Sequence, residues 1–191
     1  MTKMTALAKI LDRVNLEIPL ERVLTQIGSE FSLGKISKYR VMRVGYSDVN
    51  IKIIAGRGKY LVKIFNKNKS HRGCQDYIRG LFEFQKAGVP TPVLLEGKNK
   101  NFLYKIKGQR KKAFLCVMEF FRGKNFNQIS PTKKDLQVVT GFLTKIHRLK
   151  FPVGKNYDSW GTVNLLNEHR LKGKYSTVIT VKTGKVIPIR D

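Results

Sequence analysis

Acid is what this chain has least of for its size. Asp and Glu number 13 against 38 Lys and Arg, a formal charge of +25. Such an imbalance attracts polyanions: nucleic acid, nucleotides or acidic surfaces. Cysteine is also scarce. Two residues, Cys74 and Cys116, exclude a zinc or disulfide framework. Cys116 stands inside the apolar run "FLCVM" and reads as a small core residue. No run approaches the roughly 20 apolar residues of a membrane helix, so no membrane partner is expected. The start, "MTKMTALAKI", lacks the apolar core and cleavage site of a signal peptide, which points to the cytoplasm. There is no RNP-type motif, zinc finger, Arg-rich tail, internal repeat or low-complexity linker. What is present is globular. A hydrophobic share of 41% and an aromatic share of 10% over 191 residues suffice for one domain, or for a two-lobed unit.

Periodicity predicts mixed secondary structure. Residues 4–14 read as a short amphipathic helix, and a second helix starts at Pro19, with Leu20, Val23, Leu24 and Ile27 on its apolar face. Three strands follow, "KYRVMRV", "VNIKII" and "KYLVKIF", joined by the turns "GYSD" and "AGRG" as an antiparallel meander. A helix is expected over 74–87, stopped by Gly88 and leaving through "VPTP". "VLLEG", "NFLYKIKG" and the strongly apolar "AFLCVMEFF" read as strands. A last helix begins near Thr132, with Asp135 completing a capping-box variant and Leu136, Val139, Phe142, Leu143 and Ile146 forming its core face. "STVITVKTGKVIPIR" reads as a hairpin around Thr183 and Gly184. The shift from strand to helix near 122–130 is the expected lobe boundary.

Lys63 is the anomaly. Strand alternation sets it on the face of Leu61 and Phe65, where an ammonium must snorkel to an edge or meet an anion. Snorkelling alone accounts for such a lysine. Its neighbours add a second account. A glycine-containing turn, "RVGYSDVN", precedes it by one strand. The helix that follows carries Asp76 and Glu83, seven residues apart and nearly on one face. Phosphoryl transfer needs a loop over the phosphates, a fixed cation beside them and a carboxylate that holds that cation.

In this order, "FSLGK", "YRVMRVGYSDVNIKII", "GRGKYLVKIF", "LFEFQKAGVPTPVLL", "FLCVMEFFRGKNF" and "LTKIHRLKF" resemble pieces of the aminoglycoside phosphotransferase family, with its choline- and homoserine-kinase-like members. The resemblance covers roughly residues 28–150. It implies an α+β, protein-kinase-like fold: an N-terminal antiparallel sheet lobe with one packed helix, then the start of a mainly helical C-lobe. The implied domains are N-terminal helices at 1–35, a nucleotide-binding lobe at 36–121, and the hinge with an incomplete C-lobe at 122–191. It also implies ATP and Mg2+ as cofactors and a small-molecule hydroxyl as acceptor. Gly45, Tyr46, Ser47 and Asp48 would cover the phosphates, and Lys63 would bind the α/β-phosphates. Asp76 or Glu83 would hold Lys63. Met118, Glu119, Phe120 and Phe121 would form the adenine hinge through backbone groups. His147 would pack or cap its helix.

The chain departs from the family at the catalytic loop, H-G-D-x-x-x-x-N. None of His71, His147 and His169 precedes Gly-Asp, and no Asp has an Asn five positions later. No catalytic residue is therefore identifiable. Either the chain stops short of that loop, or "HRLKGKYSTVITVKTGKVIPIRD" is a degenerate remnant in which Asp191 would be the metal ligand. Both imply little activity for the chain alone. The alternative is a non-catalytic, kinase-like or basic protein that binds nucleic acid or another polyanion.

Overall fold

The computed structural model describes residues 10–42, 47–56, 58–121, 123 and 128–150. Five antiparallel strands form one sheet: β1 (Ile36–Met42), β2 (Val49–Ala55), β3 (Gly58–Ile64), β4 (Tyr104–Lys105) and β5 (Phe114–Glu119), in the order β1-β2-β3-β5-β4. The three-strand meander is as expected, although β1 begins earlier than "KYRVMRV" suggests. Leu94 adds an isolated bridge to Met118 on β5, where "VLLEG" reads as a strand.

Alternation decides the two faces. On β2, Val49, Ile51, Ile53 and Ala55 are buried while the residues between them are half-buried. Their register partners, Val62 and Ile64 on β3, continue the same side, followed by Leu115 and Val117 on β5. This side packs on helix α1 (Leu20–Glu30) through Leu20, Val23, Leu24 and Ile27. The segment expected as separate N-terminal helices therefore shares its core with the sheet. Pro19 stands just before α1 and its carbonyl accepts from the Arg22 and Val23 amides. Upstream, residues 10–11 are helical and run into a 3-10 turn, Asp12–Val14, closed by Asn15 at φ 54°, which agrees with the end of the helix expected at 4–14; residues 1–9 lie outside the described part.

The opposite face carries Leu61, Cys116 and Met118 and packs on α2 (His71–Lys86) through Cys74, Ile78 and Leu81. The α2 start lies three residues before the expected Cys74, because Ser70 caps it by accepting from the Gly73 amide at 3.0 Å. Gly88 ends it at φ +70°, a left-handed position that glycine takes without Cβ strain.

Helix α3 (Lys133–Arg148) has the expected capping box between Thr132 and Asp135. Its expected core face is a correction. No α3 residue is buried, and Leu136 and Leu143 are 50% and 48% exposed. An amphipathic face becomes a core only against a second surface, and no described element supplies one. The expected hairpin around Thr183 and Gly184 lies outside the described residues. Among the described residues, no helix is long and apolar enough to cross a membrane.

Candidate functional site: a lysine pair closed by an aspartate

Lys63 lies on the α2 face of β3, paired in register with Asn50 and Cys116. Its side chain is 15% exposed, so it does not escape into solvent. Its Nζ stands 2.9 Å from Asp48 Oδ2 and 5.2 Å from the Tyr77 ring centroid on α2. The ammonium thus has a carboxylate on one side and an aromatic face on another, both favourable for a cation out of water.

Asp48 directly precedes β2 and is held by more than Lys63. Lys69 Nζ reaches its Oδ2 at 3.5 Å, and the Asn66 amide donates to Oδ1 at 2.9 Å. Asn66 Nδ2 also donates to the Ser47 carbonyl at 3.2 Å, tying the end of the β1–β2 turn to the segment after β3. The side chains of Asp48 and Lys69 are 11% and 14% exposed. Burial would raise the Asp48 pKa. The charge and hydrogen bond of Lys63, the charge of Lys69 and the Asn66 amide outweigh it and hold the carboxyl below its ordinary value. Asp48 is therefore ionised near neutrality. The cluster holds two ammoniums and one carboxylate, a surplus of one positive charge.

The surroundings are largely aromatic and apolar. Lys69 Nζ also lies over the rings of Phe65 and Tyr77, at 5.1 and 5.7 Å. Cys74 and Cys116 are fully buried free thiols, and burial pushes both up to about 12. They are inert packing groups at neutral pH. Burial likewise raises the Tyr77 phenol, which stays neutral.

The other expected residues are distributed differently. Asp76 is buried and pairs with Arg79 at 2.7 Å, while Glu83 pairs with Lys86 at 2.7 Å. The carboxylate that meets Lys63 is the loop residue Asp48, not either helix residue. At the expected hinge, Met118 is buried and Phe121 is 63% exposed. The Glu119 amide donates to the Val93 carbonyl at 2.8 Å and the Phe120 amide to the Lys59 carbonyl at 3.0 Å, so both donors are taken. His147 is exposed in the last turn of α3. Gly45, Tyr46 and Asp191 lie outside the described residues. No group of three His, Cys, Asp or Glu side chains suited to a metal is found among the described residues.

Comparison with known proteins bears on the architecture. No family model and no curated protein matches the sequence. Solved structures do. A microcompartment-associated aminopropanol kinase superposes with a TM-score of 0.59 at 12% identity, over 76% of this chain and 46% of the other. A spectinomycin phosphotransferase in complex with ADP and spectinomycin gives 0.59 at 8% identity, over 86% of this chain and 50% of the other. The fold is protein-kinase-like. The chain spans about half the length of these structures. Within this fold Lys63 stands on the third strand and faces the packed helix.

Lys69 and Asn66 were missed by sequence reasoning: both fall in the polar run "NKNKSHRG" that leads into the helix, where nothing in the pattern marks a site residue. A signal was nonetheless available. Asp48 is the single acid between Glu30 and Asp76, in a stretch crowded with Lys and Arg. A lone carboxylate there is bound to attract more than one of them.

Proposed function

We propose that this chain forms the nucleotide-binding part of an ATP-dependent, Mg2+-assisted phosphotransferase acting on a small-molecule hydroxyl. In this reading residues 36–121 are the nucleotide lobe, joined to the 1–35 helices, and 122–191 form the hinge and the start of a second lobe. The observation that carries it is Lys63: an inward ammonium on the third strand of a kinase-like sheet, paired with the loop aspartate that precedes β2. The donor chemistry fits a polyphosphate, because two ammoniums and a backbone amide already converge on oxyanion oxygens.

Bound ATP would supply the phosphoryl group, and Mg2+ would offset its charge. The chain's own residues bind and orient. Gly45, Tyr46, Ser47 and Asp48 cover the phosphates, and Lys63 neutralises them. The base would meet the Met118–Phe121 segment. With the Glu119 and Phe120 amides taken, the Glu119 carbonyl and the Phe121 amide are the groups to receive adenine; two positions apart on an extended chain, they face one side. If the C-terminal stretch is the remnant of the catalytic loop, Asp191 would take the metal role. Asp76 and Glu83, bonded to Arg79 and Lys86, would steady α2 beneath the site. These assignments concern binding; no residue is assigned as catalytic base. The reading places the protein in the cytoplasm, with its ATP supply.

Calorimetry with Mg-ATP on wild type and Lys63→Ala tests the proposal. It predicts at least a tenfold loss of affinity in the variant, the scale of one lost charge-assisted contact. Equal affinities would defeat it.

One observation favours a second reading. Register places Lys38 and Arg40 of β1, Lys52 of β2 and Lys59 of β3 on the same sheet side as Lys63. Such a cationic face suits a longer polyanion, nucleic acid included. Binding of single-stranded RNA that falls steeply with salt would support it, and no binding at low salt would remove it.

A further inference from the structure

Asp48 sits as a bound anion would. Two ammoniums and one main-chain amide converge on its carboxylate, at 2.9, 3.5 and 2.9 Å. Three donors of this kind, beside two aromatic rings, are the elements of a phosphate site. The carboxylate is supplied by a neighbouring turn rather than by the segments that carry the donors. Lys63 comes from β3, while Lys69 and Asn66 come from the segment between β3 and α2. Tyr77 and Phe65 wall the lysines. If the carboxylate leaves, two largely buried positive charges face the vacated position. A phosphate, with more charge and more acceptor oxygens, answers them better than a single carboxylate does.

We propose that Lys69 is a second phosphate-binding residue beside Lys63, and that Asp48 is an internal plug which a polyphosphate displaces. This rests on the nucleotide reading above for the identity of the natural ligand, but the anion site itself does not need adenine. The same contacts make the ligand-free state self-closed. Asp48 competes with the ligand, so apparent affinity is lowered by the fraction of molecules in which the plug is seated. Ser47 and Asp48 move together, since both are tied to Asn66. Ligand entry would therefore release the Asn66 contacts along with the two ion pairs.

The test is calorimetry of inorganic tripolyphosphate and of Mg-ATP on wild type, Asp48→Asn and Lys69→Met at neutral pH, with melting curves to establish folding. Removing the plug should tighten tripolyphosphate binding about tenfold or more, and removing Lys69 should weaken it to a similar extent. A cooperatively folded Asp48→Asn protein that binds no tighter than wild type would overturn the plug. Unchanged binding by Lys69→Met would overturn the second cation. Should Asp48→Asn fail to fold, lysine acylation of wild type decides: tripolyphosphate should protect Lys63 and Lys69 above all other lysines, and uniform protection would refute the site. The two readings separate by ligand. If ATP binds no tighter than tripolyphosphate while both variants behave as stated, the plugged anion site stands and the nucleotide reading fails. If ATP binds tightly and depends on Lys63 but not on Lys69 or Asp48, the nucleotide reading stands and the plug fails.

Discussion

Replacing Asp48 should cost more stability than replacing Lys63, although the two form one ion pair. Asp48→Ala removes the carboxylate bonded to two ammoniums of 14–15% exposure and leaves the Asn66 amide without its acceptor. Breaking a fully buried pair costs about 3–5 kcal/mol, and each charged hydrogen bond contributes about 1.5–3. The residual exposure lets water recover part of this, so about 2–3 kcal/mol is expected for Asp48→Ala. Lys63→Met is milder. Asp48 keeps Lys69 and the Asn66 amide, and methionine suits the Leu61 and Phe65 face; about 1 kcal/mol is expected. Urea unfolding measures both. With slopes of about 1–3 kcal/mol/M, Asp48→Ala should lower the midpoint by roughly 1 M or more, at least twice the shift of Lys63→Met. An equal or reversed order would refute the idea that Asp48 is the hub of the cluster.

Three further outcomes follow from the same geometry. Because the folded Asp48 pKa lies below its ordinary value, its contribution is complete above about pH 4 and is lost as pH falls through the folded value; urea midpoints between roughly pH 5 and 2 should fall more in wild type than in Asp48→Asn. Gly28→Ala should destabilise, against the helix-propensity gain of up to about 1 kcal/mol, because its Cβ would collide with the Gly34 carbonyl oxygen; a net loss of about 1–3 kcal/mol by thermal melting is expected, and a gain would contradict that close approach. Thr132→Ala should remove the capping box and cost α3 about 1 kcal/mol. Since α3 buries no residue, faster amide exchange in its first turns should report this while the global unfolding midpoint barely moves.

The sheet was legible because its evidence is local. Val49, Ile51 and Ile53 alternate with polar residues, and Gly88 marks a helix end by chemistry that needs no tertiary contact. Lys63 was legible for the same reason: its parity on β3 fixes its face. Its partner was not, because Asp48 reaches it from another segment, and sequence distance along a helix favoured Asp76 and Glu83. Those carboxylates instead have cations one turn away, Arg79 and Lys86, at shorter chain separation than Lys63. Lys69 was hidden in a polar run where most lysines are solvated. The state of the Glu119 amide depended on the 93–95 segment lying beside β5, a pairing that composition does not announce. On α3 the apolar stripe was readable, but a stripe states a need for a partner and does not supply one.

A crystal structure with a non-hydrolysable ATP analogue tests the central claim most directly. The account predicts the α/β-phosphates within hydrogen-bond reach of Lys63, Asp48 withdrawn from both lysines, and the base against Glu119–Phe121. An intact Asp48–Lys63 pair, with nucleotide bound elsewhere on the basic surface, would contradict it.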